Sequence, residues 1–169
     1  ITLTSATDSK TYDGTPLTRN AQSDVTVTGD GFVEGEGATY DITGTITDPG
    51  SVSNAFTYTL NEGTLADNYN ITPVPGTLTI NKITTEIVIT ADSDSKMYDG
   101  SPLTKNTYTY TEGVLAEGDV LTAVVEGTIT NFGTTDNVVT SYKVMRGETD
   151  VTANYTFGES VKGTLEITK

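Results

Sequence analysis

Apolar residues recur at every second position in short segments along the chain, and Thr and charged residues fill the positions between them. A period of two is typical of β-strands that bury one face, and no segment sustains the 3.6-residue period of a helix. The pattern therefore predicts strands throughout. The inward-facing residues that it predicts in the first half are Ile1, Leu3, Val25, Val27, Tyr40, Ile42, Ile46, Phe56, Tyr58, Leu60, Leu78 and Ile80.

Short runs rich in Gly, Pro, Asp and Asn separate these segments and favour turns, because Gly adopts positive φ and Pro fixes φ. The segments and turns together predict five or six strands in each half of the chain. Only residues 31–35 and 114–118 are candidates for helical turns, and both stretches are too short to cover a sheet. We therefore expect an all-β fold of small antiparallel modules, as an Ig-like sandwich, with a β-grasp-like variant as the alternative.

The second half of the chain repeats the first. Residues 8–18 and 94–104 share the pattern Tyr-Asp-Gly-(Thr/Ser)-Pro-Leu-Thr, which begins at Tyr12 and again at Tyr98. Gly-Thr-Ile-Thr and Gly-Thr-Leu-x-Ile also occur once in each half, and the length differences fall between patterned segments, as loop insertions do. The repeat predicts two tandem modules, residues 1–82 and 83–169.

The segment that joins the modules contains β-branched residues and neither Gly nor Pro, which favours a stiff connection. The chain opens at Ile1 rather than at Met, and its last residues, Ile-Thr-Lys, match the Ile-Asn-Lys that ends the first module. We therefore expect a piece of a longer row of repeats, in which neighbouring repeats of the parent chain are partners.

Composition narrows the chemistry that the modules can perform. The 169 residues include no Cys and no His, which removes common nucleophiles, general bases and metal ligands. The net charge of −14 repels nucleic-acid phosphates, and no apolar run is long enough to span a membrane. Glu34 and Glu36 are the remaining candidate for a catalytic carboxylate pair, but the short loops offer no cleft. We expect a monomer without catalytic residues that binds no nucleic acid and does not insert into a membrane.

The repeated motifs also carry a family resemblance. In each copy the Tyr-Asp-Gly motif is followed by Glu-Gly-(Glu/Asp), Gly-Thr-Ile-Thr, Asn-Tyr and Gly-Thr-Leu-x-Ile. With these motifs the chain resembles, over nearly its whole length, the tandem extracellular repeats of large Gram-positive surface proteins and adhesins, grouped with mucin-binding-type and Ig-like repeats. The resemblance implies a location outside the cell, at the cell surface, with attachment to the cell wall through other regions of the parent chain.

Two roles follow from this resemblance. The first is a non-catalytic spacer that forms part of a stiff extracellular stalk of an adhesin. In the alternative, the modules themselves bind host mucin, another glycan or a matrix protein through the loops that contain Tyr12, Asp13, Tyr98 and Asp99. A tyrosine beside a carboxylate can stack on a sugar and hold its hydroxyls, whereas the structural interpretation has the ring packed on the sandwich and the Gly and Pro setting the turn.

Two further sites follow from residue types at matching places in both copies. Acidic residues near one end of each module suggest calcium as a candidate cofactor, because hard cations need several oxygen ligands, although their spacing matches no established calcium loop. A lysine and an asparagine suggest a covalent cross-link, which requires a neutral, buried amine next to the carboxamide. The residues are Asp8, Asp13, Asp92, Asp94 and Asp99 for calcium, and Lys10 with Asn68 and Lys96 with Asn154 for the cross-link.

Overall fold

The computed structural model describes residues 1–169, which form strands and three short 3-10 helices. The chain divides into two compact units, residues 1–81 and 82–169. The all-β, sandwich-like prediction is confirmed. No helix has the length and apolar character that crossing a membrane would require. Residues 31–35 and 114–118 contain turns rather than helical turns, and no α-helix covers a sheet.

The first unit contains eight strands in three small sheets, ordered β3-β1-β7, β4-β6 and β2-β8-β5. The strands are β1 (Thr2–Ser5), β2 (Asp8–Thr11), β3 (Val25–Thr28), β4 (Ala38–Ile42), β5 (Gly50–Asn54), β6 (Phe56–Leu60), β7 (Thr72–Val74) and β8 (Gly76–Asn81), and the 3-10 helices are Gln22–Asp24 and Ala66–Asn68.

The second unit contains nine strands in three sheets: β10-β12, β9-β16, and a larger sheet β11-β17-β14-β13 in which β15 also pairs with β14. The strands are β9 (Glu86–Ile87), β10 (Ile89–Ala91), β11 (Asp94–Met97), β12 (Tyr108–Tyr110), β13 (Asp119–Glu126), β14 (Gly133–Arg146), β15 (Thr149–Asp150), β16 (Thr156–Phe157) and β17 (Gly163–Thr168), and the 3-10 helix is Thr152–Asn154.

Each unit mixes antiparallel with parallel pairing, which the alternating pattern alone does not reveal. The first strand of a unit is split at a corner: β1 pairs with β3 and β7, and β2 then pairs with β8 in a different sheet. The pairs β1-β7 and β2-β8 are parallel, as are β9-β16 and β11-β17 in the second unit. Splitting at corners also explains why each unit has more than the expected five or six strands.

The cores follow the alternation of the strands. In the first unit Leu3, Val25 and Ile42 form a buried cluster, and Leu78 and Ile80 on β8 are also buried. In the second unit, Leu103, Leu165 and Ile167 pack together with the partly buried Ile129. Burying such side chains contributes about 1.5–3 kcal/mol each, so these small clusters provide much of the stability of each unit.

A buried asparagine joins two backbone segments in each unit. The Asn54 Nδ2 group donates to Ala6 O (3.0 Å), at the corner between β1 and β2, and to Arg19 O (3.2 Å). Asn137 Nδ2 makes the same pair of bonds in the second unit, to the carbonyl oxygens of residues 92 (2.8 Å) and 105 (2.6 Å). Both asparagines are 0% exposed. The carboxamide therefore fixes the place at which the first strand passes from one sheet to another.

Glycines of two repeated motifs leave room for this arrangement. A Cβ atom at Gly44 would overlap Asn54 Oδ1, and one at Gly127 would lie 2.6 Å from Asn137 Oδ1. The two Oδ1 atoms have no hydrogen-bond donor within the protein, and each lies against the glycine. At the corner itself, a Cβ atom at residue 76 or 163 would overlap backbone carbonyl oxygens. The close packing explains why Gly opens both Gly-Thr-Ile-Thr and Gly-Thr-Leu-x-Ile.

We predict that Asn54→Ala lowers the unfolding free energy of the first unit by about 2–4 kcal/mol, because two partly buried carbonyl groups lose their donor and a cavity forms. Asn137→Ala should do the same to the second unit. Urea unfolding of the full chain measures both effects. The matched control is Asn20→Ala, at an exposed loop position without a side-chain hydrogen bond, which should change stability by about 0.5 kcal/mol or less. Equal effects of Asn54→Ala and Asn20→Ala would contradict the assigned role.

Candidate functional site: the Tyr-Asp-Gly loops

The Tyr-Asp-Gly loop of the first unit is closed by its own lysine. The Lys10 Nζ group donates to Asp13 Oδ1 (2.9 Å), Thr15 Oγ1 (2.7 Å) and Pro16 O (3.4 Å). The same Asp13 oxygen accepts from the Thr15 N–H (2.9 Å) and hydroxyl (2.7 Å). Gly14 has a φ of 79°, which a side chain would strain. The loop is thus a tight turn whose carboxylate is used internally.

The loop of the second unit repeats this arrangement with Ser in place of Thr. Lys96 Nζ donates to Asp99 Oδ1 (2.8 Å), Ser101 Oγ (2.8 Å) and Ser101 O (2.9 Å). Asp99 Oδ1 accepts from the Ser101 N–H (2.9 Å) and hydroxyl (2.7 Å), and Gly100 again has a φ of 79°. The agreement between the two copies identifies the hydrogen-bond set as a property of the module.

These contacts stabilise the ionised carboxylates. The Lys10 ammonium, followed by the Thr15 hydroxyl and N–H, holds the pKa of Asp13 far below its usual range. Lys96, followed by the N–H and hydroxyl of Ser101, lowers the pKa of Asp99 in the same way. Both carboxylates are about half exposed, so solvent weakens these interactions. Since both are ionised near neutral pH and one oxygen of each accepts three hydrogen bonds, neither carboxylate is suited to take up a proton from a substrate.

The two tyrosines occupy equivalent backbone positions but differ in exposure. The Tyr12 N–H donates to Asn81 O (2.8 Å), and the Tyr98 N–H donates to Thr168 O (2.9 Å), so each residue lies beside the end of the last strand of its unit. Tyr12 is only 3% exposed, whereas Tyr98 is 55% exposed. Of the two candidate sugar platforms, only Tyr98 therefore presents its ring to solvent.

Other exposed side chains surround Tyr98. Met97 is 70% exposed and Phe132 is 61% exposed, and with Tyr98, Asn131 and Lys169 they line an open hollow of about 430 Å³. The Lys169 Nζ atom lies 4.7 Å from the centroid of the Phe132 ring, at a cation–π distance. The sequence analysis did not single out Met97 or Phe132. The first copy has Thr11 and Pro49 at these positions. A comparison of the two copies therefore identifies Met97 and Phe132 as large apolar residues that the first copy lacks.

The structure does not bring together the acidic residues proposed for calcium. No group of three or more acidic side chains lies close enough to hold a metal ion. Asp8 pairs with Arg19 (3.1 Å), Asp92 accepts from the Thr107 hydroxyl (2.6 Å), and Asp94 accepts from the N–H of the next residue. These carboxylates thus bind separate donors within the protein.

The lysines proposed for a covalent cross-link bind within their own loops. Each Nζ group donates to a carboxylate and to two or more further oxygen acceptors of its loop. Asn68 is exposed, whereas Asn154 is buried at the end of a 3-10 helix. Every hydrogen bond of Lys10 and Lys96 Nζ goes to an acceptor of its own loop, and neither goes to the asparagine proposed as its partner.

The Asn-Tyr motif and the Glu-Gly-(Glu/Asp) motif meet in the structure. In the first unit the Tyr69 hydroxyl donates to Glu36 Oε2 (2.6 Å) and accepts from the Val33 N–H (3.0 Å), while Glu34 is exposed. The contact with the Glu36 carboxylate raises the pKa of Tyr69. Glu34 and Glu36 thus do not act as a facing pair, since Glu36 binds the loop to Tyr69.

The equivalent contact in the second unit is more deeply buried. The Tyr155 hydroxyl donates to Asp119 Oδ2 (2.6 Å) and accepts from the Ala116 N–H (2.8 Å). Arg146 Nε lies 2.7 Å from the other oxygen of Asp119, whose side chain is 0% exposed. Tyr155 itself is 2% exposed. These tyrosines attach a loop to the sandwich, and two of the repeated motifs therefore have a structural use.

Buried Asn54 and Asn137 were also missed by the sequence analysis. A polar residue in an alternating strand is expected to face solvent, so the strand pattern alone conceals them. The signal was their spacing, because they are as far apart in sequence as Gly44 and Gly127, the glycines against which they pack. No family model, no curated protein and no solved structure matches the chain. The resemblance to bacterial surface repeats accordingly stays a prediction.

The loop contacts predict a specific dependence of stability on pH. A carboxylate whose pKa is lowered by folding stabilises the protein above the unfolded value, about 3.9 for Asp, and this contribution is lost as the pH falls through the folded pKa. The double variant Asp13→Asn/Asp99→Asn should therefore be less stable than the wild type above about pH 5, and the difference should shrink toward pH 2.

Urea unfolding at a series of pH values tests this expectation. Thr15→Ser is the matched control, because the second copy carries Ser101 at this place and keeps every loop contact. This variant should retain the pH dependence of the wild type. A stability difference between wild type and the double variant that is the same at pH 3 and pH 7 would show that the loop contacts do not act through the ionised carboxylates.

Proposed function

We propose that the chain is a non-catalytic spacer: two repeats of a stiff extracellular stalk in a bacterial surface adhesin. The observation that carries the proposal is the parallel pairing of an early strand with the last strand of each unit. Thr11 lies opposite Asn81 at the end of the β2-β8 pair, and Met97 lies opposite Thr168 at the end of the β11-β17 pair. The chain enters the units through β1 and β9, and the strands through which it leaves them, β8 and β17, lie beside and parallel to β2 and β11.

This pairing suits a segment that carries tension. When the two ends of a unit are pulled apart, β2 and β8 are drawn in opposite directions along their common axis. All hydrogen bonds between them are then loaded together in shear, whereas a hairpin pulled at its open end breaks one bond after another. The pairs β1-β7 and β9-β16 are also parallel and add to the same resistance.

The junction supports a stiff stalk as well. Asn81 is the last residue of β8, and its carbonyl oxygen accepts from the Tyr12 N–H. Ile83 is already held within the second unit, because its carbonyl oxygen accepts from the Thr156 hydroxyl (2.8 Å). Only Lys82 lies between these anchored residues. A linker of one residue leaves far fewer backbone conformations than the flexible linkers of many multidomain proteins.

The loops also favour the spacer over a ligand-binding module. The carboxylates of Asp13 and Asp99 accept hydrogen bonds from their own lysine and hydroxyl neighbours, and the ring of Tyr12 is buried. Only the exposed ring of Tyr98, beside Phe132, favours the second candidate function, binding of a mucin glycan or another sugar chain. Aromatic faces stack on the apolar side of sugars, so this surface is where such binding would occur.

We predict that each unit unfolds as a separate step when the full chain is stretched from its two ends, with about 280 Å of chain released per unit. Thr79→Pro, in the middle of β8, removes a ladder hydrogen bond and should lower the force for the first unit only. Single-molecule force measurement gives both results. Extension without discrete steps, or an equal force after Thr79→Pro, would contradict the proposed role.

The second candidate function is tested by binding of the full chain to a panel of mucins, glycans and matrix proteins. The spacer proposal predicts no saturable binding. Tyr98→Ala is compared with Tyr110→Ala, which removes another exposed tyrosine of the same unit. Saturable binding that Tyr98→Ala abolishes and Tyr110→Ala preserves would replace the spacer with a glycan-binding module.

A further inference from the structure

An aspartate is followed directly by a glycine at three places in the chain, Asp13-Gly14, Asp30-Gly31 and Asp99-Gly100. At such a pair the backbone nitrogen of the glycine can attack Cγ of the aspartate, because no side chain on the glycine hinders the approach. The N–H proton and the carboxyl hydroxyl group leave together as water, and a succinimide ring forms. Water then opens the ring at either carbonyl carbon and gives aspartate or isoaspartate, so the overall reaction is an isomerisation that needs no other reactant.

The hydrogen bonds of the two Tyr-Asp-Gly loops oppose ring closure. Asp13 Oδ1 accepts from the Lys10 ammonium and from the N–H and hydroxyl of Thr15. Asp99 Oδ1 accepts the three equivalent bonds in the second unit. Each carboxyl group has to leave these donors before its Cγ atom can meet the glycine nitrogen. Lys10 and Lys96 also lower the pKa of the two carboxyls, so the neutral form, which loses its hydroxyl group as water, is rarer in the folded loops than in the unfolded chain.

No such restraint acts on Asp30, which lies in the loop between β3 and β4. The residue is exposed, its carboxylate binds no donor within the protein, and the Gly31 N–H donates to no acceptor. Gly31 has a φ of 74°, and apart from its two neighbours in sequence no residue comes within 4 Å of the position that a Cβ atom at Gly31 would take. The attacking nitrogen and the carboxyl group are thus both unbound, and the space beside the glycine is open.

We propose that Asp30 is a site of spontaneous covalent modification, isomerisation to isoaspartate, and that the hydrogen bonds of the Tyr-Asp-Gly loops protect Asp13 and Asp99 from the same reaction. This reaction requires neither the proposed stalk nor a neighbouring module. The loop lysines thereby gain an effect beyond closing the turn. They preserve an Asp-Gly pair that the turn needs, because the aspartate supplies the acceptor and the glycine adopts the positive φ.

The contacts that follow Asp30 confine the effect of the modification to the loop. The Phe32 ring packs edge-on against the Tyr69 ring at a centroid distance of 5.1 Å, and the Tyr69 hydroxyl accepts from the Val33 N–H. Isoaspartate adds one backbone atom, Cβ, to an exposed segment before these anchored residues, so we expect the first unit to stay folded. The second unit has Gly113 at the place of Asp30, and its loop therefore contains no Asp-Gly pair there.

The test is incubation of the full chain in water enriched in ¹⁸O, near neutral pH for several weeks, followed by site-resolved mass spectrometry. Each opening of a succinimide ring incorporates an ¹⁸O atom, so the label reports ring closure at each aspartate whether the product is aspartate or isoaspartate. We expect labelling to be at least about ten times faster at Asp30 than at Asp13 or Asp99, since each unit by which a pKa falls makes the neutral carboxyl about tenfold rarer. In concentrated urea, which removes the loop contacts, the three sites should be labelled at similar rates.

A variant of one loop separates the restraint from the intrinsic reactivity of the sequence. Lys10→Gln should raise the labelling rate at Asp13 several-fold and leave the rates at Asp30 and Asp99 unchanged, whereas Lys82→Gln, which removes a lysine outside the loops, should change none of them. An unchanged rate at Asp13 after Lys10→Gln would overturn the protective role of the lysine. Similar rates at the three sites in the folded chain, or the same preference for Asp30 in folded and urea-unfolded chains, would overturn the assignment of Asp30.

Discussion

The carboxamide of one buried asparagine determines the shape of each unit. Asn54 and Asn137 each hold a corner of the first strand and a second loop by two hydrogen bonds, and a glycine lies against each carboxamide oxygen. The corner lets one strand contribute to two sheets. Because of it, β2 and β11 reach the last strands of their units and pair with them in parallel. The parallel pairs, and the tension-bearing role inferred from them, thus depend on this contact. A buried polar side chain of this kind also favours one register over others, since any slip leaves its partners unsatisfied.

Much of the fold could be predicted from the sequence, because alternation identifies strands and turn residues separate them. Leu78 and Ile80, predicted to face inward, are buried on β8, and the all-β fold follows from such segments. The direction of pairing could not be predicted in this way, since parallel and antiparallel strands that bury one face alternate identically. The burial of Asn54 could not be predicted either, because a polar residue in an alternating strand is expected to point outward. Only its hydrogen bonds to Ala6 and Arg19 show why it is buried.

The candidate site was predicted in part. The sequence located both Tyr-Asp-Gly loops, and the structure shows that Lys10 and Lys96 close them by binding the aspartates. The contrast between Tyr12 and Tyr98 could not be predicted, because their surrounding motifs are nearly identical and exposure depends on what lies outside the motif. The loops, the Asn-Tyr contacts and the buried asparagines all direct polar groups toward the protein itself. Repeated polar residues that bind partners within the protein are typical of a structural module. In a binding module, some of the repeated polar residues face the ligand.

A stalk depends most directly on a stiff junction between its units. The chain has no Cys, so a spin label can be attached to one introduced cysteine in each unit, at the exposed positions Thr26 and Thr109. Pulsed electron paramagnetic resonance then gives the distribution of distances between the two labels in solution. A stiff spacer predicts one narrow distribution, which broadens when four glycines are inserted after Lys82. A broad distribution in the original chain, unchanged by the insertion, would contradict the proposed function.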